Sequence, residues 1–178
     1  VDVNSAFLSW SAVYRTCILG ESEDLRRAPS IVGGDQEKRH GIVLAKSIPA
    51  KQFGIQTGEP LVSARRKCPD LIVIPPDYGL YVRASRALMK LLRRYSDQVI
   101  PYSIDEAWVI FDGFESLYGR EQMVSLAYQM KQEIRDWLGF TVNIGVSTKL
   151  LLSKMAGEFS KPDRVHTLFE EEMDRKMR

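Results

Sequence analysis

Three carboxylates occupy unusual positions in this sequence and could bind metal ions together. Asp2 lies among apolar residues near a predicted strand end, and Asp105 and Glu106 separate two apolar strand candidates. Adjacent strand side chains point to opposite faces, so this pair converges on one site only where the chain turns, as in a hairpin. A solvated turn, with Asp2 capping a helix that begins near Ser5, explains the same acids. Without further motifs, the turn is the favoured interpretation.

The elements that carry these carboxylates follow from hydrophobic periodicity. Residues 1–4 predict a strand end, and a helix follows until Gly20, with apolar residues at helical spacing. Between residues 26 and 75 the elements are short and separated by turn residues, which predicts a small separate lobe.

Longer elements follow Pro75 and Pro76 and predict a second, larger layer. They are a helix over 78–95, strands over 99–104 and 107–111, a helix over 121–138, a strand over 141–146 and a helix ending by Ser160. This order predicts an α+β fold, in which helices cover one face of a sheet and a small lobe is inserted.

Composition permits many functions and supports few. The formal charge of +2 neither demonstrates nor excludes a nucleic-acid partner. Cys17 and Cys68 are the two cysteines, and their spacing matches neither a zinc site nor a redox dithiol. No apolar run is long enough to span a membrane, so we expect a cytoplasmic protein without a membrane partner. Because the chain opens at Val1 and stops within a charged, helix-prone run, we expect a fragment cut at both ends.

Several motifs occur together in one order along the chain. They are DVNSAF at 2–7, YSIDEA at 102–107, GVS at 145–147 followed by Lys154, and Lys161 followed by Pro162. They resemble the active-site and later palm segments of the Y-family of lesion-bypass DNA polymerases. Asn4, after the first Asp-Val pair, is similar to the UmuC-type, ImpB-MucB-SamB-like bacterial branch. The resemblance covers essentially the whole chain as palm and fingers.

This resemblance implies a domain organisation. The palm would be a ferredoxin-like, mixed or antiparallel sheet with helices on one face, and a small fingers lobe would be inserted in it. Residues 1–20 would form the first part of the palm, 21–75 the fingers, 76–166 the second part of the palm, and 167–178 the start of a truncated thumb.

The resemblance also implies a metal centre with two Mg²⁺ ions as cofactors. Asp2, Asp105 and Glu106 would be the catalytic metal ligands, with Asp2 and Asp105 bridging both ions. Glu106 would hold the ion that activates the primer 3′-hydroxyl, and the Val3 carbonyl would help bind the ion that accompanies the triphosphate. Two cations about 4 Å apart stabilise charge on the attacking and leaving oxygens of such a reaction. The histidines, His40 and His166, are interpreted as ordinary surface residues.

Four residues would bind the nucleotide by the same resemblance: Ala6, Phe7, Lys51 and Lys161. The Phe7 ring would lie beneath the incoming sugar and exclude a 2′-hydroxyl. On an isolated helix, Phe7 is equally interpreted as the start of the apolar face. Lys51 and Lys161 would contact phosphate.

The segment 42–54 resembles the family's fingers segment that covers the nucleotide, and it departs from the family pattern at three positions. Many members carry a hydroxyl residue at Ala45, an aromatic residue at Ile48 and arginine at Lys51. Lysine is a competent point charge for phosphate, but it lacks the planar fork of arginine.

The resulting functional prediction is template-directed DNA synthesis across damaged DNA, in the SOS response to DNA damage. Primer-template DNA and deoxynucleoside triphosphates would be the partners, and a sliding clamp or recombinase would bind through regions outside this chain. By itself the chain would be weakly active or inactive. One alternative is a non-catalytic module that keeps the palm fold to bind DNA or a partner. Another is a nucleotidyl cyclase-like enzyme, whose Gly-Gly-Asp-Glu-Phe turn the segment 33–36 resembles superficially.

Overall fold

A computed structural model describes residues 1–34 and 41–177 of the chain. Within these residues the chain forms two compact units. The first unit contains Val1–Asn4 and the chain from Ala84 onwards, and the second is Ser5–Arg83. His40, interpreted as a surface residue, and Asp35 and Gln36 of the cyclase-like segment 33–36 lie outside the described residues.

Strands and helices alternate along the described chain. The strands are β1 (Asp2–Val3), β2 (Ser30–Gly33), β3 (Val43–Lys46), β4 (Ile72–Ile74), β5 (Gln98–Pro101), β6 (Ala107–Ile110), β7 (Val142–Val146) and β8 (Val165–Thr167). The α-helices are α1 (Ala6–Val13), α2 (Ile48–Gln52), α3 (Leu61–Lys67), α4 (Tyr78–Leu92), α5 (Phe114–Leu138), α6 (Leu150–Gly157) and α7 (Met173–Lys176). A π-helical turn, Tyr14–Ile18, follows α1, and 3₁₀ turns occur at Leu25–Arg27 and Glu170–Glu172.

In the first unit, β1 connects two pairs of strands. It pairs antiparallel with β7, which in turn pairs parallel with β8. On its other side, Asp2 forms an antiparallel bridge with Glu106 next to the β5–β6 hairpin. The Val3 amide donates a 3.0 Å hydrogen bond to the Asp105 carbonyl. The short strand β1 therefore lies between the hairpin and β7.

Helix α6 crosses β7 at very close range. A Cβ atom at Gly145 would lie 1.7 Å from the Ser153 carbonyl oxygen and 2.6 Å from the Gly157 nitrogen. Any larger residue at this position would push the helix away from the strand. Gly145 thus allows α6 and the loop that follows it to approach the sheet.

The second unit contains the sheet β3-β2-β4, where β2 is antiparallel to β3 and parallel to β4. One apolar cluster includes Ile31, Val43 and Leu61. A second cluster includes Leu8 of α1 together with Val32 of β2. Helix α1 is therefore part of the core of this unit.

These units do not coincide with the predicted boundaries at 20, 75 and 166. The segment 1–20, predicted as one part of the palm, is divided after Asn4. The assignment of palm, fingers and thumb to particular residue ranges stays a prediction. None of the helices in the described part of the chain has the length and apolar character needed to cross a bilayer.

Candidate active site

The β5–β6 hairpin brings two acidic side chains beside β1. Its turn is closed by the amides of Tyr102 and Ser103, which donate to the Glu106 carbonyl at 2.9 and 3.2 Å. Asp105 lies in this turn, and Glu106 bridges to Asp2 on the neighbouring strand. The predicted hairpin is therefore present, and it carries both acids next to Asp2.

Three carboxylates converge at this point of the first unit. One oxygen each from Asp2, Glu106 and Glu158 lies within 4.8 Å of the others. Opposite oxygen ligands of one Mg²⁺ are about 4.2 Å apart, because each Mg–O bond is about 2.1 Å long. The three groups could therefore contact one divalent cation after small side-chain rotations. This donor set, made of hard oxygen atoms, suits magnesium better than a softer metal.

Asp105 is oriented differently from the other acids. Its carboxylate accepts a 2.7 Å hydrogen bond from the Ser103 hydroxyl, which also lies 3.4 Å from a Glu106 oxygen. Within the described residues, the three-carboxylate group does not include Asp105. Val3, the predicted carbonyl ligand, is buried in β1. The roles of Asp105 and Val3 as metal ligands stay predictions.

Two lysines neutralise the converging carboxylates. Lys161 donates to Asp2 and, at 3.1 Å, to Glu158. Lys154 lies 3.0 Å from both carboxylate oxygens of Glu106. Each predicted metal ligand of this group thus has an ammonium partner, and a bound metal ion would have to replace or displace it.

Burial and these ion pairs shift the proton affinities at the site. Burial raises the pKa of Asp2, although the hydrogen bond from Lys161 opposes the shift. Burial alone would lower the pKa of Lys161, but its hydrogen bonds to Asp2 and Glu158 outweigh burial, so this pKa is raised. The pKa of Lys154 is raised in the same way, because Glu106 outweighs the effect of burial. Both lysines therefore remain cationic at neutral pH.

A buried amide fixes the loop that carries Lys161. The Asn143 side chain, fully buried in β7, donates to the carbonyls of Gly157 and Ser160 at 3.0 and 2.7 Å. Its oxygen accepts from the Asn4 side chain and the Arg164 amide, both at 3.2 Å. Asn143 therefore connects β7 to the end of α6 and to the segments on both sides of Lys161.

A cavity of about 360 Å³ borders the carboxylates. Asp2, Glu106 and Glu158 contribute to its lining, together with apolar side chains such as Met130 of α5 and Ile144 of β7. One water molecule occupies about 30 Å³ in the liquid. A cation with bound water molecules therefore has space to reach the carboxylates.

The other predicted nucleotide-binding residues belong to the second unit. Ala6 is buried at the start of α1, and the half-buried Phe7 follows it. Lys51 is exposed on α2, a helix capped by the Ser47 hydroxyl, which accepts from the Ala50 amide at 3.1 Å. Burial and then the charge of Lys51 lower the pKa of Lys46. The segment 42–54 therefore carries two neighbouring amines.

Sequence reasoning missed two contacts at the carboxylates. Glu158 was not predicted, although it lies three residues before Lys161 and forms an ion pair with it. Lys154 belongs to a recognised motif, but its contact with Glu106 was not predicted. An acidic residue three positions before a motif lysine was the available sequence signal for this ion pair, and it does not place Glu158 beside Asp2 and Glu106.

Residues 1–158 match the model of the impB/mucB/samB family. The chain belongs to the impB/mucB/samB family. This impB/mucB/samB chain is 50% identical over 177 residues to the DNA polymerase IV of Clostridium acetobutylicum, a match covering 99% of the chain and 44% of that relative. The chain therefore spans less than half of the length of this relative.

Two solved structures resemble this impB/mucB/samB chain. The crystal structure of DinB from Sulfolobus solfataricus matches with a TM-score of 0.83 at 25% identity, covering 98% of this chain and 48% of that one. A Y-family DNA polymerase chimera, Dbh-Dpo4(243-245)-Dbh, matches with a TM-score of 0.83 at 26% identity, covering 98% and 49%. The predicted Y-family resemblance and α+β fold class are confirmed.

Proposed function

We propose that this chain contributes the catalytic carboxylates and part of the nucleotide site of a DNA polymerase that copies damaged templates. The main support is the convergence of Asp2 and Glu106, which come from distant segments and form an antiparallel bridge. The similar proteins named DNA polymerase IV and Y-family DNA polymerase are longer than this chain, and their names state that they are DNA polymerases. The reaction would join a deoxynucleotide to a primer 3′-hydroxyl and release pyrophosphate.

Mg²⁺ is the proposed cofactor, with two ions at the site. Asp2, Asp105 and Glu106 would hold them, together with the Val3 carbonyl. The ions would stabilise negative charge on the attacking and leaving oxygens. The exposed Glu158 would act through Lys161, its ion-pair partner, rather than as an obligatory ligand.

Lys161 and Lys51 are the proposed phosphate contacts. Lys161 contacts Asp2, so its ammonium lies next to the carboxylate proposed to bind the triphosphate-associated metal ion. The Lys161 side chain can rotate to bring its ammonium group from the carboxylate to a phosphate oxygen, with little movement of the Lys161 backbone. Lys51, exposed on α2, would provide a second point charge. When a triphosphate binds, Lys161 would neutralise a phosphate charge instead of the charge of Asp2.

Sugar choice is proposed to depend on Phe7, with Ala6 leaving room beside it. A ring beneath the sugar excludes a 2′-hydroxyl by volume and needs no charge. Primer-template DNA and deoxynucleoside triphosphates are the proposed partners. A clamp or recombinase would bind through regions that this chain does not contain.

A chimera tests the proposed function. In it, this chain replaces the matching 177 residues of the Clostridium acetobutylicum DNA polymerase IV, and primer extension is measured with Mg²⁺. We expect extension by the chimera, and a loss of about 100-fold or more for Asp105→Asn or Glu106→Gln, because each removes several kcal/mol of charge stabilisation.

Glu121→Gln is the matched control. Glu121 is exposed on α5, so this substitution makes the same chemical change away from the site. It should extend primers like the unmodified chimera. Near-normal extension by Glu106→Gln and Asp105→Asn, with unchanged circular dichroism, would overturn the metal-site proposal. An inactive unmodified chimera with a native-like circular dichroism spectrum would instead favour a non-catalytic module.

A further inference from the structure

The Phe7 ring is packed against two tyrosines of α4 within the second unit. It stacks on Tyr81 with ring centroids 4.3 Å apart and planes inclined by 8°. Tyr78 meets it edge-on at 6.1 Å, with an interplanar angle of 89°. One face of the Phe7 ring is therefore covered, and a second ring restricts its rotation.

Tyr81 is itself fixed at both ends. Its ring is completely buried, and its backbone amide donates to the Asp77 carbonyl at 3.1 Å. At the other end, its hydroxyl lies 2.9 Å from the hydroxyl of buried Ser11. Burial raises the pKa of Tyr81, so the phenol stays neutral and can donate this hydrogen bond.

Ser11 and Phe7 lie one turn apart on the same face of α1. Tyr81 therefore contacts α1 twice, through its ring at Phe7 and through its hydroxyl at Ser11. These two contacts fix the position of the Tyr81 ring along and above the surface of α1. The position of the Phe7 ring follows from it, because the stacked planes cannot approach further.

We infer that Tyr81 is a positioning residue for sugar selection, and that Ser11 anchors it. The inference rests on the proposed role of Phe7. A filter that works by volume needs a ring that cannot retreat when a 2′-hydroxyl approaches. Tyr81 supports the Phe7 ring from its covered face and prevents that movement. Removal of the Tyr81 ring would open a space into which Phe7 could rotate.

The chimera described above tests this inference through the ratio of kcat/KM for a ribonucleotide to kcat/KM for the matching deoxynucleotide. Tyr81→Leu is expected to raise this ratio by on the order of tenfold, comparable to loss of a shaped steric contact in other enzymes. The change should be a lower ribonucleotide KM, with the deoxynucleotide kcat within about twofold of the unmodified chimera. Tyr81→Phe keeps the ring and loses the Ser11 contact, so it should raise the ratio less.

A double-mutant cycle separates positioning from general loss of stability. If Tyr81 acts through Phe7, Tyr81→Leu should not change the ratio further in a Phe7→Ala background. Ile31→Ala is the matched control, because Ile31 is fully buried in the other apolar cluster of the same unit. It should destabilise the protein and leave the ratio unchanged.

The possible results are distinguishable. An unchanged ratio in Tyr81→Leu, with a raised ratio in Phe7→Ala, would overturn the inference and leave the proposed function intact. A ratio raised equally by Ile31→Ala would also overturn it, since destabilisation alone would then suffice. If Phe7→Ala leaves the ratio unchanged, the sugar filter at Phe7 is wrong, and the role of Tyr81 falls with it. No extension by the unmodified chimera overturns the proposed function itself.

Discussion

The ammonium nitrogen of Lys154 lies 3.0 Å from both carboxylate oxygens of Glu106 and 3.8 Å from the centroid of the Tyr102 ring. The carboxylate and the negative face of the ring both favour a cation at this position. A metal ion bound to Glu106 would meet the same ammonium group. Lys154 and a divalent cation should therefore compete for Glu106.

Replacing Lys154 with methionine should strengthen metal binding by the chain. The substitution keeps the apolar stem and removes one positive charge near the metal. We expect Lys154→Met to lower the Kd for Mn²⁺ by about threefold to tenfold, a change below about 1.4 kcal/mol, measured by isothermal titration calorimetry. Lys149→Met is the control, because Lys149 pairs with Glu170 instead of the cluster. Weaker Mn²⁺ binding by Lys154→Met would show that Lys154 holds Glu106 in place for the metal.

The acids at the site should differ in their importance for metal binding. Asp2 is more deeply buried than Glu158, whose side chain is 55% exposed and screened by solvent. We expect Asp2→Asn to weaken Mn²⁺ binding by more than about tenfold and Glu158→Gln by less than about threefold. The same titration measures both Kd values. Equal losses would make Glu158 a metal ligand in its own right.

Gly145 and Gly157 form a matched pair for testing the contact between α6 and β7. Gly145→Ala would place a methyl group against the Ser153 carbonyl, so we expect a loss of about 3 kcal/mol or more in the free energy of unfolding. At Gly157 the new Cβ would lie 3.6 Å from the Gly145 nitrogen, its nearest neighbour outside its own helix, which is an ordinary contact distance. Gly157→Ala should therefore change stability by no more than about 1 kcal/mol. Urea unfolding measures the free energy of unfolding of both variants. Similar losses in the two variants would contradict the close packing of α6 against β7 at Gly145.

Local hydrophobic patterns in the sequence predict many of the strands and helices of the fold. The hairpin around Asp105 and Glu106 was predictable, because two apolar strands flank a charged pair. Helix α5 instead begins at Phe114, well before the predicted start at 121, and is interrupted at Gly119, where φ is 80°. Glycine at positive φ gives no periodicity signal, so the first turn of α5 was missed.

The candidate site was only partly predictable, for a different physical reason. The motifs predicted that Asp2 and Glu106 lie close together, and the two residues form a bridge in the structure. The presence of Glu158 beside them depends on how closely α6 crosses β7, a tertiary property that Gly145 permits and that local spacing does not encode. Phe7 and Lys51 belong to the second unit, and their roles stay predictions.

By itself, this chain should bind primer-template DNA weakly and extend it poorly. Its net charge is only +2, whereas duplex affinity depends on several lysine and arginine contacts that release counterions. We expect fluorescence anisotropy across a salt series to give a lower affinity and a shallower salt slope for the chain than for the chimera. Extension measured in parallel should be weak as well, because the primer hydroxyl must be held within about 3.5 Å of the α-phosphate. Equal affinity and extension would show that these residues suffice to hold DNA.

The ion pair between Asp2 and Lys161 joins residues 159 positions apart. During synthesis on the ribosome, Asp2 emerges early and Lys161 near the end of this segment. The contact between Asp2 and Lys161 therefore cannot form until Lys161 has been synthesised, whereas the bridge between Asp2 and Glu106 requires only the earlier part of the chain. A nascent chain that stops before Lys161 would leave Asp2 without this partner, so the lysine contact is the last part of the site that synthesis makes available.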